Sequence, residues 1–474
     1  MKILLIQPSN QNGLKPTRLP ASLMALASFL DNKKILSEFF QIRGFSAKET
    51  RLQKINIKII DEQTKSSGYL EKLLEREEFQ VVGFTAVTSL IPRAAKLAQI
   101  IKKNFSKTIT IIGGVHVTAQ PLLTLKKFSS FDIAVVGEGE ETFAEIIIRV
   151  LLDQRIDSID GALSRLSIDR GIVFRKKVFE YQRHPFIAES LKYLELDNYY
   201  EYDVPSGVHI GKHSILRTSI GCPYNCSFCC SSLFSSGKII NIKTADQIFE
   251  EILFCYNNYN ISSFYVIDDI FTWSKSRILE LRDLIVESKI PFKFIIMTRA
   301  DLLDEDIIVA LKEIGVIRCS IGVESGDQVL VNQVIGKKIH LGKIEEITSI
   351  IKAHGIFLQY YLIVGLPTQD WNSIAKTVLF ILKNNPDSIS TSIATPYPGT
   401  KLYNDPRIKL QDTEDLSKYY HEPEPQVKVL QFPETYTITD VMDSTEIGMA
   451  RFIVMSSFQN RNKFCFNLRK KTQS

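Results

Sequence analysis

Short apolar runs alternate with amphipathic helical stretches along most of this chain, and this alternation limits the possible folds more than any other feature. In the first third, five runs rich in isoleucine and valine are predicted strands: Lys2–Gln7, Ile55–Asp61, Gln80–Thr85, Thr108–Gly114 and Asp132–Gly137. Their apolar residues occupy both faces, as in parallel strands that helices cover on two sides. The pattern predicts an α/β domain over residues 1–155 with a doubly wound parallel sheet, whose ligand lies beyond the carboxyl ends of the strands.

A second series of six strand and helix pairs begins at His213. Its predicted strands are His213–Ile220, Ser263–Asp268, Phe292–Thr298, Ile317–Val323, Phe357–Val364 and Ser388–Thr395. Six such units predict a partial (β/α)6 barrel over residues 211–402, with its chemistry at the carboxyl ends of the strands. Residues 156–210 are interpreted as a linker and residues 403–474 as a small C-terminal extension.

The composition excludes several classes of protein. With 58 basic and 53 acidic residues among 474, the net charge of +5 is too weak to indicate a nucleic-acid partner. No uncharged apolar window of about 18 residues is present, and no secretion signal precedes the first strand, so we expect a cytoplasmic chain without a transmembrane segment. The basic, aromatic tail leaves a peripheral membrane contact open, although packing of its rings on the barrel is the alternative.

Three cysteines directly follow the first predicted barrel strand, in the order Cys222, Cys226 and Cys229. A structural zinc site normally takes four ligands, whereas three thiolates on an iron–sulfur cubane leave one iron free for a substrate or cofactor. A zinc-binding or simply buried loop is the alternative. The other four cysteines are scattered and Cys222 is the first in the chain, so we expect one cluster per chain.

Further polar or glycine residues stand at the ends of the later predicted barrel strands. They are Asp268, Asp269, Arg299, Glu324 and Gly365. Taken singly, Glu324 or Arg299 is also compatible with a structural ion pair across the mouth of the barrel, which is the alternative. Carboxylates, a cation and an apolar wall are the groups that a ligand with ammonium, carboxylate, ribose and adenine parts requires.

With the cysteine loop, the runs TRAD, GVESG, LIVGLPT and PYPGT occur in that order, and residues Ile215–Leu402 resemble the radical S-adenosyl-L-methionine (SAM) enzymes. The resemblance implies that the three cysteines hold a 4Fe-4S cluster and that Glu324 holds the ribose or amino group of SAM. The backbone of Phe228 and the turn at Gly365 are then expected beside adenine. The usual Gly-Gly-Glu after the second strand is missing, and Asp268 or Asp269 stands in its place.

Glycine-rich runs follow the last two strands of the N-terminal sheet, GGVHVTAQP and VVGEGEETF. An ordinary flavodoxin-like turn would also account for each run alone. Together they resemble the cobalamin-binding domain found at the N-terminus of many radical SAM enzymes. The cobalamin contacts that this resemblance implies are Thr85, Gly113, Gly114, His116, Gly137, Glu138 and Gly139. The D-x-H-x-x-G signature that supplies a histidine beneath cobalt is absent, and a structural role for His116 in the following turn is the alternative.

The chain as a whole therefore resembles radical SAM enzymes that contain a cobalamin-binding domain. The resemblance implies a methyltransferase that acts on an unactivated carbon through a 5′-deoxyadenosyl radical and methylcobalamin. It also implies a small-molecule or lipid substrate and an electron donor such as flavodoxin or ferredoxin. A cobalamin-dependent cyclase or rearrangement enzyme without methyl transfer is the first alternative, and a non-catalytic cobalamin-binding module is the second.

Overall fold

A computed structural model gives the fold, and it describes residues 1–10, 16, 18–45, 55–169, 185–235, 241–419 and 435–460. Residues 170–184 of the predicted linker and most of the basic, aromatic tail lie outside the described residues. The chain divides into two compact units. The first contains Met1–Tyr202, Ile210–Arg217 and Glu251–Ile261, and the second contains Asp203–His209, Thr218–Glu250 and the described residues from Ser262 onward.

The first unit is built on a six-stranded sheet. Its strands are β1 (Lys2–Gln7), β2 (Asn56–Asp61), β3 (Val81–Thr85), β4 (Ile109–Gly113), β5 (Ile133–Val135) and β6 (Ala162–Ser164), in the order β2-β1-β3-β4-β5-β6. The first five are parallel, which confirms the predicted doubly wound sheet, and their ends lie within two residues of the predicted ones. The sequence did not indicate β6, which pairs antiparallel with β5.

Helices surround this sheet, and β1, which lies inside it between β2 and β3, is fully buried from Ile3 to Ile6. The helices are α1 (Ala21–Asp31), α2 (Lys33–Ile42), α3 (Tyr69–Arg76), α4 (Ile91–Asn104), α5 (Val115–Ala119), α6 (Pro121–Lys127), α7 (Glu140–Leu151) and α8 (Arg165–Asp169). Short 3-10 turns occupy Glu62–Thr64, Thr88–Leu90, Ile187–Tyr193 and Leu196–Asn198. Because β3, β4 and β5 are parallel, their carboxyl ends and the turns that follow them lie at one edge of the sheet.

The other strands include those of the predicted barrel. They are β7 (Tyr202–Asp203), β8 (Val208–His209), β9 (His213–Leu216), β10 (Ser219–Ile220), β11 (Asn241–Ile242), β12 (Ser263–Val266), β13 (Lys293–Thr298), β14 (Val316–Glu324), β15 (Phe357–Val364), β16 (Ser388–Ile393), β17 (Ile408–Leu410) and β18 (Thr437–Thr439). A six-stranded sheet has the order β16-β15-β14-β13-β12-β9, and β12 to β16 pair in parallel. The predicted strand His213–Ile220 is interrupted after β9, because the Thr218 N–H donates to the Asp268 carboxylate rather than to a neighbouring strand.

Seven α-helices are described after residue 203, besides a π-helix at Leu330–Val334 and 3-10 turns at Ala300–Leu302, Leu402–Asn404 and Leu416–Lys418. They are α9 (Ser231–Ser235), α10 (Ala245–Tyr259), α11 (Lys275–Ser288), α12 (Glu305–Glu313), α13 (Leu341–Ala353), α14 (Trp371–Asn384) and α15 (Ser444–Gln459). Side chains of Ser274, Asp304 and Asp370 cap α11, α12 and α14 by accepting a backbone N–H of the first turn. Within the predicted C-terminal extension, α15 begins at the capping box of Asp443 and Glu446. None of the described helices is long and apolar enough to span a bilayer.

Candidate functional site

The three cysteines of the loop lie at the carboxyl end of the first barrel strands, directly after β10. Cys222, Cys226 and Cys229 are free and partly buried. Burial raises the pKa of the Cys222 thiol to about 11, and the neighbouring Cys229 and Cys226 contribute to that rise. The three sulfurs are therefore close enough to interact electrostatically, as the spacing of the motif predicts.

Two backbone hydrogen bonds fix this loop from both sides. The Ser227 N–H donates to the Ile335 carbonyl at 2.8 Å, and the Leu402 N–H donates to the Ser227 carbonyl at 2.8 Å. The Arg299 guanidinium lies 3.6 Å from the centre of the Tyr224 ring, a cation–π contact. The loop is thus held by segments that follow β13, β14 and β16.

The side chain of Phe228 anchors the same loop in an apolar cluster. Together with Cys226 it packs against buried residues that follow or end β14, β15 and β16, namely Ile335, Ile363, Leu366, Ala394 and Leu402. Because this ring is held in the cluster, the backbone beside Phe228 is fixed in place. A rigid backbone is what the predicted contact with adenine requires.

Glu324, at the end of β14, adopts a left-handed backbone conformation with φ of +66°. A non-glycine residue in this region is strained, and such residues cluster at functional sites. The Glu324 carboxylate pairs with Lys337 Nζ at 2.7 Å, and both side chains are buried. Lys337 Nζ also donates to the Gly322 carbonyl at 2.5 Å, and a side chain at position 322 would collide with both charged groups.

Lys337 was not predicted from the sequence. It belongs to the run Gly336-Lys337-Lys338, a composition that is typical of an exposed turn. Its neighbour Lys338 is indeed exposed, whereas Lys337 is buried. No local pattern distinguishes the two lysines, since the partner of Lys337 lies on β14.

Arg299 belongs to a structural network. Its guanidinium forms a bidentate pair with Asp301, at 2.9 and 2.8 Å, and donates to the Lys337 carbonyl at 2.9 Å. These bonds use Nε and Nη2, and the guanidinium also contacts the Tyr224 ring. The structure therefore favours the ion-pair alternative for Arg299, which links Lys337 to the cysteine loop.

The two candidate carboxylates after β12 have different surroundings. Asp268 is buried and accepts hydrogen bonds from the Thr218 N–H, the Thr218 hydroxyl and the Ser219 hydroxyl, which favours a structural role. Asp269 is partly exposed and accepts from the Ser231 hydroxyl at 2.8 Å, and the Ser231 N–H in turn approaches Cys229 Sγ at 3.4 Å. Burial raises the pKa of Asp269. Asp269 is therefore the better candidate for a ligand ammonium beside the cysteine loop.

The turn at Gly365 follows β15 and has a φ of +78°. A Cβ atom at this position would lie 2.9 Å from Ile447 Cγ2, so α15 packs directly on the turn. Two backbone N–H groups of the turn are also hydrogen-bonded. The Leu366 N–H donates to Gln369 Oε1 at 3.1 Å, and the Thr368 N–H donates to Asp440 Oδ1 at 2.8 Å. The C-terminal extension thus fixes the turn that the resemblance places beside adenine.

In the first unit, Thr85, Gly113 and the residues after β5 lie at the same edge of the sheet. Gly114 has a φ of +113°, and a Cβ there would lie 2.6 Å from the Ala86 carbonyl oxygen, so only glycine fits. Gly137 has a φ of +79° with open space around its Cα. Its N–H donates to Thr118 Oγ1, which itself donates to the Gly114 carbonyl. The two glycine turns are thereby tied together.

Two other residues predicted to contact cobalamin, His116 and Glu138, interact with side chains of the protein itself. His116 is 3% exposed, and its Nδ1 lies 3.2 Å from Thr88 Oγ1, which favours a structural role for the ring. The Glu138 carboxylate pairs with Arg217, which also bonds Glu140. Gly139 lies at the start of α7, against Val135 and Leu26.

Two family models match the chain, and together they cover more than half of it. The B12 binding domain matches residues 32–147, and the Radical SAM superfamily matches residues 216–381. The chain belongs to the radical SAM enzymes that carry a cobalamin-binding domain. Cobalamin, SAM and a 4Fe-4S cluster are the cofactors of such a pair of domains.

Individual radical SAM proteins are also similar to this chain. An uncharacterized methyltransferase of Pyrococcus horikoshii, PH0819, is 28% identical over 85% of this chain and 82% of its own length. The anaerobic magnesium-protoporphyrin IX monomethyl ester cyclase of Rubrivivax gelatinosus is 23% identical over 80% of this chain and 66% of its own length. The structure of the methyltransferase TsrM from Kitasatospora setae, with cobalamin and a 4Fe-4S cluster bound, aligns with a TM-score of 0.63 at 15% identity, covering 90% of this chain and 83% of that one. This last likeness concerns the fold.

The thiols of the radical SAM unit form a donor set that fits a cubane cluster. Among the described residues, no group of three or more His, Cys, Asp or Glu side chains is close enough to bind a single metal ion. The ligands of a cubane bind different iron atoms, so their sulfurs need not meet at one point. Three free thiols that interact at a distance fit this requirement.

The edge of the cobalamin-binding unit also suits its cofactor. Glycine at positions 113, 114, 137 and 139 leaves backbone without side chains at the ends of β4 and β5, where a wide, flat ligand can approach. His116 is not free to reach cobalt, because its ring is buried against Thr88. This agrees with the missing D-x-H-x-x-G signature.

The burial of His116 has a consequence for the pH dependence of stability. Burial, with a smaller contribution from Lys127, lowers the pKa of His116 from 6.5 to about 4. The unfolded chain then binds the proton more readily than the folded chain, so stability falls as the pH drops through this window. At about pH 5 we expect a loss of about 2 kcal/mol from this residue.

The measurement compares thermal midpoints at about pH 7.5 and pH 5 for the wild type and His116→Asn, which retains a polar group facing Thr88. The midpoint of the variant should fall less. His354→Asn, at the half-buried C-terminal end of α13, is the matched control and should behave as the wild type. Equal pH dependence of the wild type and His116→Asn would contradict the assignment.

Proposed function

We propose that this chain is a methyltransferase that adds a methyl group to an unactivated carbon of a small-molecule substrate. The observation that supports the proposal is that one chain contains both a B12 binding domain and a radical SAM domain. This chain is also similar, over most of its own length, to a protein named as a methyltransferase. When bound, the cofactors supply a 5′-deoxyadenosyl radical for hydrogen abstraction and a transferable methyl group. An unactivated carbon requires this chemistry, because it cannot attack the SAM methyl as a nucleophile.

In this proposal, Cys222, Cys226 and Cys229 hold the cluster. Burial raises the pKa of all three thiols. Without bound iron the thiols are therefore protonated, and ligation removes the protons. The hydrogen bonds of Ser227 to Ile335 and Leu402 keep the loop in one conformation. A preformed loop lowers the entropy cost of ligation.

SAM is then held on the rim of the same barrel. Glu324 is placed for the ribose or amino group, Asp269 for the ammonium, and the turn at Gly365 with the Phe228 backbone for adenine. The support is that Glu324 is strained and buried, and that Asp269 contacts the cysteine loop through Ser231. Both carboxylates are held by neighbours, so little movement is needed on binding.

The reaction consumes an electron at the cluster, and we include in the proposal a donor of the flavodoxin or ferredoxin type. A cobalamin-dependent cyclase or rearrangement enzyme is the second candidate, favoured by the similarity to the magnesium-protoporphyrin ester cyclase. A module that only binds cobalamin accounts neither for the cysteine loop nor for the buried pair of Glu324 and Lys337.

Incubation with methyl-deuterated SAM is expected to separate these possibilities. The anaerobically reconstituted protein, loaded with cobalamin, is mixed with a chemical reductant and extract of the host cell, and products are followed by mass spectrometry. A methyltransferase should form 5′-deoxyadenosine together with a product that carries the deuterated methyl group. The Cys226→Ala protein, treated identically, is the control and should form neither.

Each other result identifies a different function. If 5′-deoxyadenosine forms and the new product carries no label, methyl transfer is excluded and the cyclase or rearrangement function stands. If cobalamin is retained but neither compound forms under any reductant, the non-catalytic module is favoured.

A further inference from the structure

A buried polar network closes the amino-terminal end of the barrel. The Arg318 guanidinium pairs with the Asp203 carboxylate, with Nε to Oδ2 at 2.9 Å and Nη2 to Oδ1 at 3.0 Å. Its Nη1 donates to Ser320 Oγ and to Gln359 Oε1, and the Tyr265 hydroxyl donates to Asp203. These side chains are buried, and their charges are paired. Together they form the floor of the lumen.

A row of serines on β16 begins at this floor. Ser388 pairs in register with Gln359, Ser390 with Tyr361 and Ser392 with Ile363. Register partners in a parallel sheet face the same side, so the three serines face the lumen, as Gln359 does. The alternate residues Ile389, Thr391 and Ile393 are buried on the opposite face.

The hydroxyls of this serine row are available to a ligand. All three residues are partly exposed. Among the described residues, no side-chain hydrogen bond is found for Ser388, Ser390 or Ser392, nor for the Tyr361 hydroxyl, whereas Ser320 is bonded to Gln359. With a rise of about 3.3 Å per residue, the row extends roughly 13 Å from the floor toward the rim.

On the described strands β13 and β14, the lumen side offers an apolar side chain and charges that are already paired. Met297, which pairs in register with Ser320, is 37% exposed although it lies within β13. The charged residues on the lumen side of the described strand β14 are Arg318 and Glu324, and both are paired, with Asp203 and Lys337. A charged substrate placed among these groups would lose its hydration without gaining a counter-charge.

Building on the proposed function, we infer that the lumen binds an uncharged, polar substrate with hydroxyl or amide groups along one edge. That edge is placed against Ser388, Ser390, Ser392 and Tyr361, while a less polar edge faces Met297. A phosphorylated or carboxylated substrate would lack a partner, and a purely hydrocarbon lipid would leave the serine hydroxyls without hydrogen bonds.

The test uses the reconstituted full chain with cobalamin and SAM, and fractions of host-cell extract. Ion exchange and solvent extraction give four fractions: neutral and water-soluble, anionic, cationic, and hexane-soluble. Each is added with reductant, and the rate of 5′-deoxyadenosine formation is measured. We expect the neutral, water-soluble fraction to stimulate this rate at least about tenfold more than the others. Stimulation by the anionic, cationic or hexane-soluble fraction alone, or by none of the four, would overturn the inference.

The serine row is tested separately with Ser390→Ala and Ser392→Ala. Each should raise the amount of active fraction needed for half-maximal stimulation about tenfold, because a substrate group loses its hydrogen bond. The dissociation constant of SAM, measured by equilibrium dialysis, should not change. Ser349→Ala is the control, since this exposed serine on α13 bonds only its own helix, at the Glu345 carbonyl. A change in SAM affinity without a change in the response to the fraction would assign the serines to the cofactor and not to the substrate.

This design distinguishes the inference from the proposed function. Stimulated 5′-deoxyadenosine formation reports binding of a substrate, whether or not a methyl group is transferred. A neutral fraction that stimulates the rate but receives no deuterated methyl would leave the inference on the lumen intact and contradict methyl transfer.

Discussion

Replacing Cys226 with alanine is expected to remove the 4Fe-4S cluster and with it all radical chemistry. Cys226 packs together with Phe228 against the buried cluster that contains Ile335, so another residue cannot move into its place without disturbing the loop. We expect the iron and sulfide contents after anaerobic reconstitution to fall to background. The rate of 5′-deoxyadenosine formation should fall by about a hundredfold or more.

Cys230 provides a matched control in the same loop. It is also partly buried, and burial raises the pKa of its thiol to about 12, but it lies outside the predicted ligand set. Cys230→Ala should retain iron, sulfide and activity. Retention of a complete cluster by Cys226→Ala, or its loss from Cys230→Ala, would show that the ligand set is wrong.

Replacing Lys337 with methionine is expected to destabilise the second unit and weaken SAM binding. The change leaves the Glu324 carboxylate buried without its partner at 2.7 Å. Breaking a buried pair in this way costs about 3–5 kcal/mol. We expect a lower thermal midpoint and, because Glu324 is no longer held in place, a SAM dissociation constant raised at least about tenfold.

A double variant separates stability from cofactor binding. Glu324→Gln with Lys337→Met removes both charges, so the thermal midpoint should largely recover. SAM affinity should stay low, since the carboxylate that we propose for the ribose or amino group is gone. Lys338→Met, at the exposed neighbouring position, should match the wild type in both measurements. Normal SAM affinity in the double variant would exclude Glu324 as a contact.

Most strands of the chain could be predicted because their apolar runs are local and strong. β1 and β15 begin and end at the predicted residues. The interruption between β9 and β10 could not be predicted, because it depends on the Asp268 carboxylate, which lies 50 positions away from Thr218 in the sequence. In the same way, β6 is defined by its partner β5 rather than by a pattern of its own.

In the candidate site, too, features set by neighbouring residues could be predicted, whereas contacts between residues distant in the sequence could not. The spacing of Cys222, Cys226 and Cys229 was sufficient to predict a cluster loop, and the family match agrees with that prediction. The buried Lys337 and the bond between Ser231 and Asp269 connect residues on different elements, and no motif marks them. The alternation in Ser388–Ile393 is visible in the sequence, but only the register with Gln359 shows which face is inward.

The contact between Ile447 and Gly365 affects the order in which parts of the radical SAM unit fold during synthesis. The turn at Gly365 is complete only when α15 has packed on it, and α15 is synthesised long after β15. During translation we therefore expect the predicted adenine wall to form late, and SAM to be loaded after the extension has folded. A fragment cut at residue 381, where the Radical SAM match ends, would lack both Ile447 and Asp440 and leave this turn unsupported. For biochemical work, the C-terminal extension should be kept with the radical SAM unit, because α15 and Asp440 support this turn.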